Sequence, residues 1–234
     1  MSIAIKLQTI AENEQKVYDK GYEEGFNSAP LDWAGATTVF RVPNLNLIGR
    51  KEVVLNIPLL TNLQNTFEQT TLNETVEHIT VNGSLDGTIT NVAYMFAIAT
   101  SIANTSEDTT LKHITLNLDL SKSTNYGRTF YQLAALEVID GNPLDFSSAT
   151  TTSNVFNGCR ALKKFRVVPL SIKVNIKINF SSELSPETRQ SIIDGLADLT
   201  GQTTQTVTFH STVGAKLTDE QKATITAKNW TLAY

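Results

Sequence analysis

Cysteine is almost absent from this sequence, which has one, Cys159, among 234 residues. A single cysteine excludes an internal disulfide framework and agrees with assembly in a reducing cytosol. The opening MSIAIKLQTIAENEQK lacks the basic region and apolar core that mark a secretory signal. No apolar run approaches the roughly 18 residues that a membrane helix needs, so we expect no membrane insertion.

Concentrated charge of one sign is also missing. The net charge is -4, and the lysines and arginines are scattered along the chain. Nucleic-acid-binding surfaces gather basic residues into a stripe, so we expect no nucleic-acid partner. The chain has three histidines and no Gly-rich phosphate loop, His-Glu-x-x-His stretch or Gly-x-Ser-x-Gly elbow. These absences predict a protein that is not an enzyme and uses neither a cofactor nor a metal.

An internal repeat is present. LDLSKSTNYGRTFYQLAAL (residues 118–136) aligns without a gap with LDFSSATTTSNVFNGCRAL (residues 144–162). Cys159 takes the position that Leu133 holds one repeat earlier. A position that accepts leucine or cysteine is an apolar slot, and the repeat contains no histidine to act as a base. We therefore expect Cys159 to be a core residue and not a nucleophile.

Each repeat leads from a phenylalanine, which we expect to fill the interior, into a predicted strand. Apolar residues at the first, fourth and sixth positions alternate with polar ones, as in half-buried strands. The four copies are Val76/Ile79/Val81, Leu111/Ile114/Leu116, Leu136/Ile139/Gly141 and Leu162/Phe165/Val167. Units of this kind cannot bury their apolar faces alone and must stack on one another. The pattern therefore predicts an α/β solenoid.

The repeats resemble the BspA-like leucine-rich repeats, whose units read roughly F-x-x-C-x-x-L-x-x-I-x-[LIV]-P. The best copy supplies Phe156, Cys159, Leu162, Phe165 and Val167, with Pro169 one position late. The upstream units carry insertions, so the array is degenerate. The resemblance implies a leucine-rich-repeat-like solenoid over residues 51–180. Residues 26–50 contain Pro, Gly and Asn and predict a connecting segment before it.

Residues 181–234 predict a terminal cap, which together with the strand VNIKINF (residues 174–180) reads β-α-β-α-β. One helix should begin after Ser185 as N-cap, with Pro186 in its first turn, and end just before Gly201. A second helix should begin at a capping box formed by Thr218 and Gln221. QTVTFH and WTLAY are the two remaining predicted strands.

The segment 1–25 predicts a helix with a short heptad seam. Its apolar members are Ile3, Leu7, Ile10 and Val17. Two interpretations remain open for this helix. It either lies on its own domain as an ordinary amphipathic helix, or it serves oligomerisation or docking into another protein.

The chain as a whole resembles a family of proteins encoded by phages and prophages of Gram-positive bacteria. The resemblance rests on the opening IAENEQKVYDKGYEEGF, the degenerate repeats and the ending IIDGLADLTGQTTQTVTFH…LTDEQKATITAKNWTLAY. It implies a structural protein of the phage particle, at its surface or tail, assembled in the bacterial cytoplasm. It also implies that the N-terminal helix binds other virion proteins, that the protein contacts the host surface and, by analogy with tail fibres, that it is a homotrimer.

The outward strand positions form a candidate ligand-binding face. Its members are His78, Thr80, Asn82, His113, Thr115, Asn117, Asp140, Lys164 and Arg166, with an expected continuation through Lys177 to Thr206, Thr208 and His210. A broad face that can form hydrogen bonds suits a host glycan and a host protein equally well. The alternative is a plain solvated sheet face.

Two pairs of repeat-equivalent residues carry rival interpretations. His78 and His113 could share a metal across neighbouring strands, but zinc needs a third or fourth ligand, and none is obvious. Asp119 and Asp145, with Asp86 as a third copy, could be the paired carboxylates of a glycosidase. Residues that recur in every turn more often bind backbone amides of the turn itself. Three hypotheses follow: a host-contacting phage protein, a purely architectural virion or decoration protein, and a carbohydrate-active enzyme.

Overall fold

The computed structural model describes residues 31–32, 50–67, 76–98 and 110–234. Its first sheet has five parallel strands in chain order. They are β1 (Leu31–Asp32), β2 (Glu52–Asn56), β3 (His78–Asn82), β4 (His113–Asn117) and β5 (Val138–Gly141). The segment 26–50, expected to be a connection only, thus contributes a strand that pairs with β2. The predicted N-terminal helix, with Ile3, Leu7, Ile10 and Val17, lies outside the described residues.

Strands β2, β3 and β4 form because every second side chain is apolar and buried. Along β3 and β4 buried residues alternate with half-buried ones, as the sequence pattern predicts. Ile79 pairs with Ile114, and Val81 pairs with Leu116, so the buried residues of the two strands stack on one face. These side chains belong to a single core cluster that extends from Val53 to Trp230.

A second row of parallel bridges runs along the connections that follow the strands. It joins Asn62, Asn91, Asn125 and Thr151, which we call the Asn row. Each asparagine side chain accepts a hydrogen bond from the backbone N–H two residues later, over 2.9–3.0 Å. Such Asx turns reverse the chain locally. The sequence analysis missed this row, although the dipeptide Thr-Asn recurs at each position except the last.

A column of phenylalanine rings fills the interior beside the Asn row. The centroids of Phe67 and Phe96 are 5.2 Å apart, those of Phe96 and Phe130 5.7 Å, and those of Phe130 and Phe156 5.6 Å. All four residues are at most 1% exposed. The prediction that the phenylalanines fill the interior is therefore confirmed. Ring planes within 8° of parallel give each pair a stacked contact.

Cys159 lies in the same core and is fully buried, as is its repeat partner Leu133. The thiol donates a hydrogen bond to the carbonyl oxygen of Phe130 over 2.8 Å. Burial raises the pKa of the Cys159 thiol to about 12. Because a thiolate does not form there near neutral pH, the prediction of a packing residue is confirmed.

The prediction of a fourth repeat strand over Leu162–Val167 is wrong. Only single bridges form there, from Lys164 to Val138 and from Val167 to Leu144. The N–H groups of Phe165 and Val167 donate instead to the hydroxyls of Thr188 and Ser191, at 3.3 Å and 2.9 Å. Both hydroxyls belong to helix α1 (Pro186–Gly195). The helix therefore satisfies donors that would otherwise have needed another strand.

The C-terminal part forms a second parallel sheet in the order β6 (Ile176–Ile178), β7 (Gln205–Phe209) and β8 (Trp230–Ala233). Two further helices, α2 (Ser211–Gly214) and α3 (Asp219–Ala227), connect β7 to β8. The capping box of α3 and the Ser185 cap of α1 are confirmed. The short helix α2 was not predicted, because its cap is His210, whose Nδ1 accepts from the N–H of Thr212 over 3.2 Å.

The predicted end of α1 before Gly201 is wrong, because the helix stops at Gly195. A Cβ atom at Gly195 would lie 2.7 Å from Val167, so the helix packs closely against the preceding segment there. The next residue, Leu196, forms a parallel bridge with Ile172 and can no longer be helical. The bridge between Leu196 and Ile172 therefore ends the helix, although the apolar pattern of the sequence extends further.

Candidate ligand-binding face

The outward residues of β3, β4 and β5 lie side by side across the first sheet. Strand register places His78 beside His113, Thr80 beside Thr115 and Asn82 beside Asn117. Asp140 follows Thr115 on the next strand. All seven residues are half-buried, so this side of the sheet is partly accessible to solvent. We call this set, together with the exposed Lys164 and Arg166, the polar face.

A stacked pair of histidines occupies the edge of the polar face where β3 and β4 begin. The ring centroids of His78 and His113 are 4.2 Å apart, with the planes within 12° of parallel. The Nε2 atom of His78 lies 2.9 Å from the hydroxyl of Thr115. Partial burial, followed by the charge that His113 can carry, lowers the pKa of His78. Protonation of the His78 ring is thus disfavoured.

Asp140 anchors the other end of this network. Its Oδ2 atom lies 2.8 Å from Nε2 of His113, and its Oδ1 accepts a hydrogen bond from Thr115 over 2.6 Å. Burial opposes ionisation of this carboxyl, but the two hydrogen bonds, together with the positive charge that His113 and His78 can carry, outweigh it and hold the pKa of Asp140 below its ordinary value. The carboxylate is therefore charged near neutral pH and already has donors on both oxygens.

Asparagine amides form the upper edge of the polar face. The amide of Asn82 donates to Asn56 over 2.8 Å, and that of Asn117 donates to Asn82 over 2.9 Å. This series of side-chain hydrogen bonds does not continue onto β5, because that strand ends in Gly141, which has a φ of 83°. A Cβ atom there would clash with the carbonyl oxygen of Leu116, so only glycine fits.

The basic end of the polar face borders a cleft. Lys164 and Arg166 are exposed, and Arg166 donates to the carbonyl oxygen of Gly141 over 2.6 Å. The cleft has a volume of about 470 Å³ and lies between β5, the segment 164–166 and the start of α1. Its lining is Val138, Ile139, Asp140, Lys164, Phe165, Arg166, Ser185, Glu187 and Thr188.

The expected continuation of the face beyond Arg166 is wrong. Lys177 lies on β6, and Thr206 and Thr208 lie on β7, and these strands form a separate sheet. The second sheet lies next to the last member of the Asn row and not next to β5, since the hydroxyl of Thr152 donates to the carbonyl oxygen of Asn175, just before β6. His210 caps α2 through Nδ1. The candidate face therefore ends at the cleft.

The repeat-equivalent aspartates bind backbone amides. Oδ1 of Asp119 accepts from the N–H of Ser121, and Oδ1 of Asp145 accepts from the N–H of Ser147, both over 2.8 Å. Asp86 accepts from the hydroxyl of Ser84, and the backbone N–H of Thr88, two residues later, also helps to lower the pKa of its carboxyl. The turn role expected of Asp119 and Asp145 is confirmed, and Asp86 shares it through Thr88 in addition to its bond with Ser84.

A cluster that the sequence analysis missed lies outside the polar face. The guanidinium of Arg128 lies 5.3 Å from the ring centroids of both Tyr94 and Tyr131, and it donates to the Tyr94 hydroxyl over 2.9 Å. Tyr94 and Arg128 both have left-handed backbones, with φ of 57° and 58°. Because Asn65 and Asn154 share this conformation at equivalent turns, it belongs to the repeat geometry.

The histidine pair does not extend to a metal-binding set. Among residues 50–67, 76–98 and 110–234, no group of three or more His, Cys, Asp and Glu side chains is arranged to hold a metal ion. Both Nε2 atoms of the pair already have partners in Thr115 and Asp140. Within the same part of the chain, no helix combines the length and the apolar character needed to cross a membrane.

Comparison with known proteins gives no match, since no protein-family model, curated protein or solved structure is significantly similar to this chain. The functional argument therefore rests on the geometry of the polar face and its cleft.

Proposed function

We propose that this protein is a non-enzymatic structural protein of a phage particle that contacts the host surface through the polar face. In this proposal the repeats form a degenerate leucine-rich-repeat-like solenoid, and the N-terminal helix joins it to other virion proteins, in a homotrimer of tail-fibre or baseplate type. The ligand is a glycan or a protein of the host cell surface. Assembly takes place in the bacterial cytoplasm and function in the virion.

The supporting observation is the continuous row of half-exposed polar side chains across β3, β4 and β5. Parallel strands in register hold hydroxyl, amide, imidazole and carboxylate groups at regular spacing on one side of the sheet. Such a preorganised row loses little conformational entropy when a ligand binds. The aspartates that the enzyme hypothesis needs are engaged in turns, which favours binding over hydrolysis.

The architectural alternative has an observation of its own. Many groups of the polar face bind one another, as in the contacts of Asp140 with His113 and Thr115 and in the asparagine chain. Side chains that satisfy each other can serve the sheet alone. A binding experiment with the face blocked decides between the two functions.

The test uses fluorescently labelled protein and purified cell-wall sacculi from a panel of Gram-positive bacteria. Thr80→Arg places a long charged side chain at the centre of the polar face. Thr90→Arg is the matched control, because Thr90 is exposed beside the Asn row on another side of the molecule. We expect wild type and Thr90→Arg to bind one sacculus type and Thr80→Arg to lose at least about tenfold in affinity. Equal binding by both variants would exclude the polar face, and no binding of wild type either to sacculi or to intact cells of the same bacteria would favour the architectural function.

A further inference from the structure

The cleft at the basic end of the polar face has the dimensions of a small-ligand site. Its volume of about 470 Å³ falls within the range of roughly 300–1,000 Å³ typical of such sites. Val138, Ile139 and Phe165 supply an apolar floor, and Phe165 is only 2% exposed. Four charged side chains surround this floor, the acidic Asp140 and Glu187 and the basic Lys164 and Arg166.

The two acidic groups of the cleft are already stabilised by the protein. Asp140 has donors on both oxygens, from Thr115 and His113. Glu187 lies in the first turn of α1, where the free N–H groups and the helix dipole favour a negative charge. Its own backbone N–H and the Ser185 hydroxyl hold the pKa of Glu187 below its ordinary value. Neither carboxylate requires a cation from a ligand.

The two basic groups retain most of their hydrogen-bonding capacity. Among the described residues, Arg166 makes one hydrogen bond, to the carbonyl oxygen of Gly141, although a guanidinium has five N–H donors. The charge of Lys164 helps to lower the pKa of Glu187, but within the same part of the chain its ammonium group forms neither a salt bridge nor a hydrogen bond. The unused capacity of the cleft therefore consists of cationic donors above an apolar floor.

We propose that this cleft binds a sugar that carries a phosphate or carboxylate group, with Lys164 and Arg166 as the residues that bind the anion. A guanidinium matches the two oxygens of such a group, and the apolar floor accepts the C–H face of the sugar ring. This inference rests on the proposed function, since it names the ligand class at one end of the polar face. Asp140 belongs to the polar face and also lines the cleft, so a ligand bound in the cleft can extend along the first sheet.

Isothermal titration calorimetry of the full chain at low salt tests this proposal with glucose 6-phosphate, glucuronic acid and glucose as probes. We expect glucose 6-phosphate or glucuronic acid to bind and glucose to show no measurable binding. The stronger of the two anionic probes identifies phosphate or carboxylate as the preferred group. Arg166→Gln and Lys164→Gln should each weaken that binding on the order of tenfold. Lys177→Gln is the matched control on β6, outside the cleft, and should bind as wild type.

Any of four results would overturn the cleft assignment. The first is the absence of binding of both anionic probes, and the second is equal binding of glucose and glucose 6-phosphate. The third is an unchanged affinity in Arg166→Gln and Lys164→Gln, and the fourth is an equal loss in Lys177→Gln, with circular dichroism showing that each variant is folded. The sacculus experiment separates this inference from the proposed function. Sacculus binding that is sensitive to Thr80→Arg, without binding of either anionic sugar, would remove the cleft assignment and leave the proposed function standing.

Discussion

Truncation of Phe130 gives the sharpest test of the ring column. Phe130 is 1% exposed and lies between Phe96 and Phe156, with centroids at 5.7 Å and 5.6 Å. Replacing a buried phenylalanine with alanine costs about 3–5 kcal/mol in free energy of unfolding. Of this, two stacked ring contacts account for about 1–3 kcal/mol, at about 0.5–1.5 kcal/mol each. Phe130→Leu retains most of the apolar volume, so we expect it to lose about 1–3 kcal/mol.

Urea unfolding followed by circular dichroism and by the fluorescence of Trp230, in a Trp33→Phe background that leaves it the single tryptophan, measures these losses. Trp230 is 3% exposed and lies on β8, so its signal shows whether the C-terminal sheet unfolds together with the repeats. Leu59→Ala is the control, because Leu59 is 55% exposed and should change the free energy by less than about 0.5 kcal/mol. A loss below about 1 kcal/mol for Phe130→Ala, at an unchanged slope against urea, would refute the reasoning about the ring column.

Three further predictions concern single positions. Gly141→Ala should be markedly more destabilising in urea than Gly201→Ala, because both have positive φ but only Gly141 would bring a Cβ into contact with backbone atoms; equal losses would contradict the close approach. Because the pKa of His78 is lowered in the folded state, the unfolded chain takes up this proton more readily, and stability should fall as the pH drops from about 7.5 to 5.5. A His78→Asn variant should flatten this dependence, and an identical pH profile would contradict the prediction. Cys159 should resist a thiol reagent in the native protein and react in urea, whereas rapid native labelling would show that it is not a core residue.

Local sequence patterns predicted much of the first sheet and of the terminal cap. Strand alternation within each repeat places Ile79, Ile114 and Ile139 at equivalent buried positions, because a half-buried strand requires an apolar residue at every second position. The helix starts at Ser185 and Thr218 were predictable for a similar reason, since a cap depends on a side chain and an amide that are close together in the chain.

The candidate face was predictable in part. Repeat equivalence placed His78 beside His113, but no pattern indicated that their rings would stack or that Asp140 would accept from both His113 and Thr115. The Asn row could have been found from the recurring Thr-Asn dipeptide, yet variable insertions between the copies obscure its spacing. Those contacts depend on how successive connections stack, which is a property of the whole array.

Sequence alone thus determined the segments of β3, β4 and β5, the apolar slot of Cys159 and the turn role of Asp119 and Asp145, because each depends on residues close together in the chain or on the repeat unit. Only the tertiary structure decided where the first sheet ends and where the cleft forms. Thr188 and Ser191 reach back from α1 to bind the amides of Phe165 and Val167 in a distant part of the chain. A segment that pairs with a further strand and a segment that lies under a helix at the edge of a sheet have the same local apolar pattern. They differ in what accepts hydrogen bonds from their backbone N–H groups, which is another strand in the first case and helix side chains in the second.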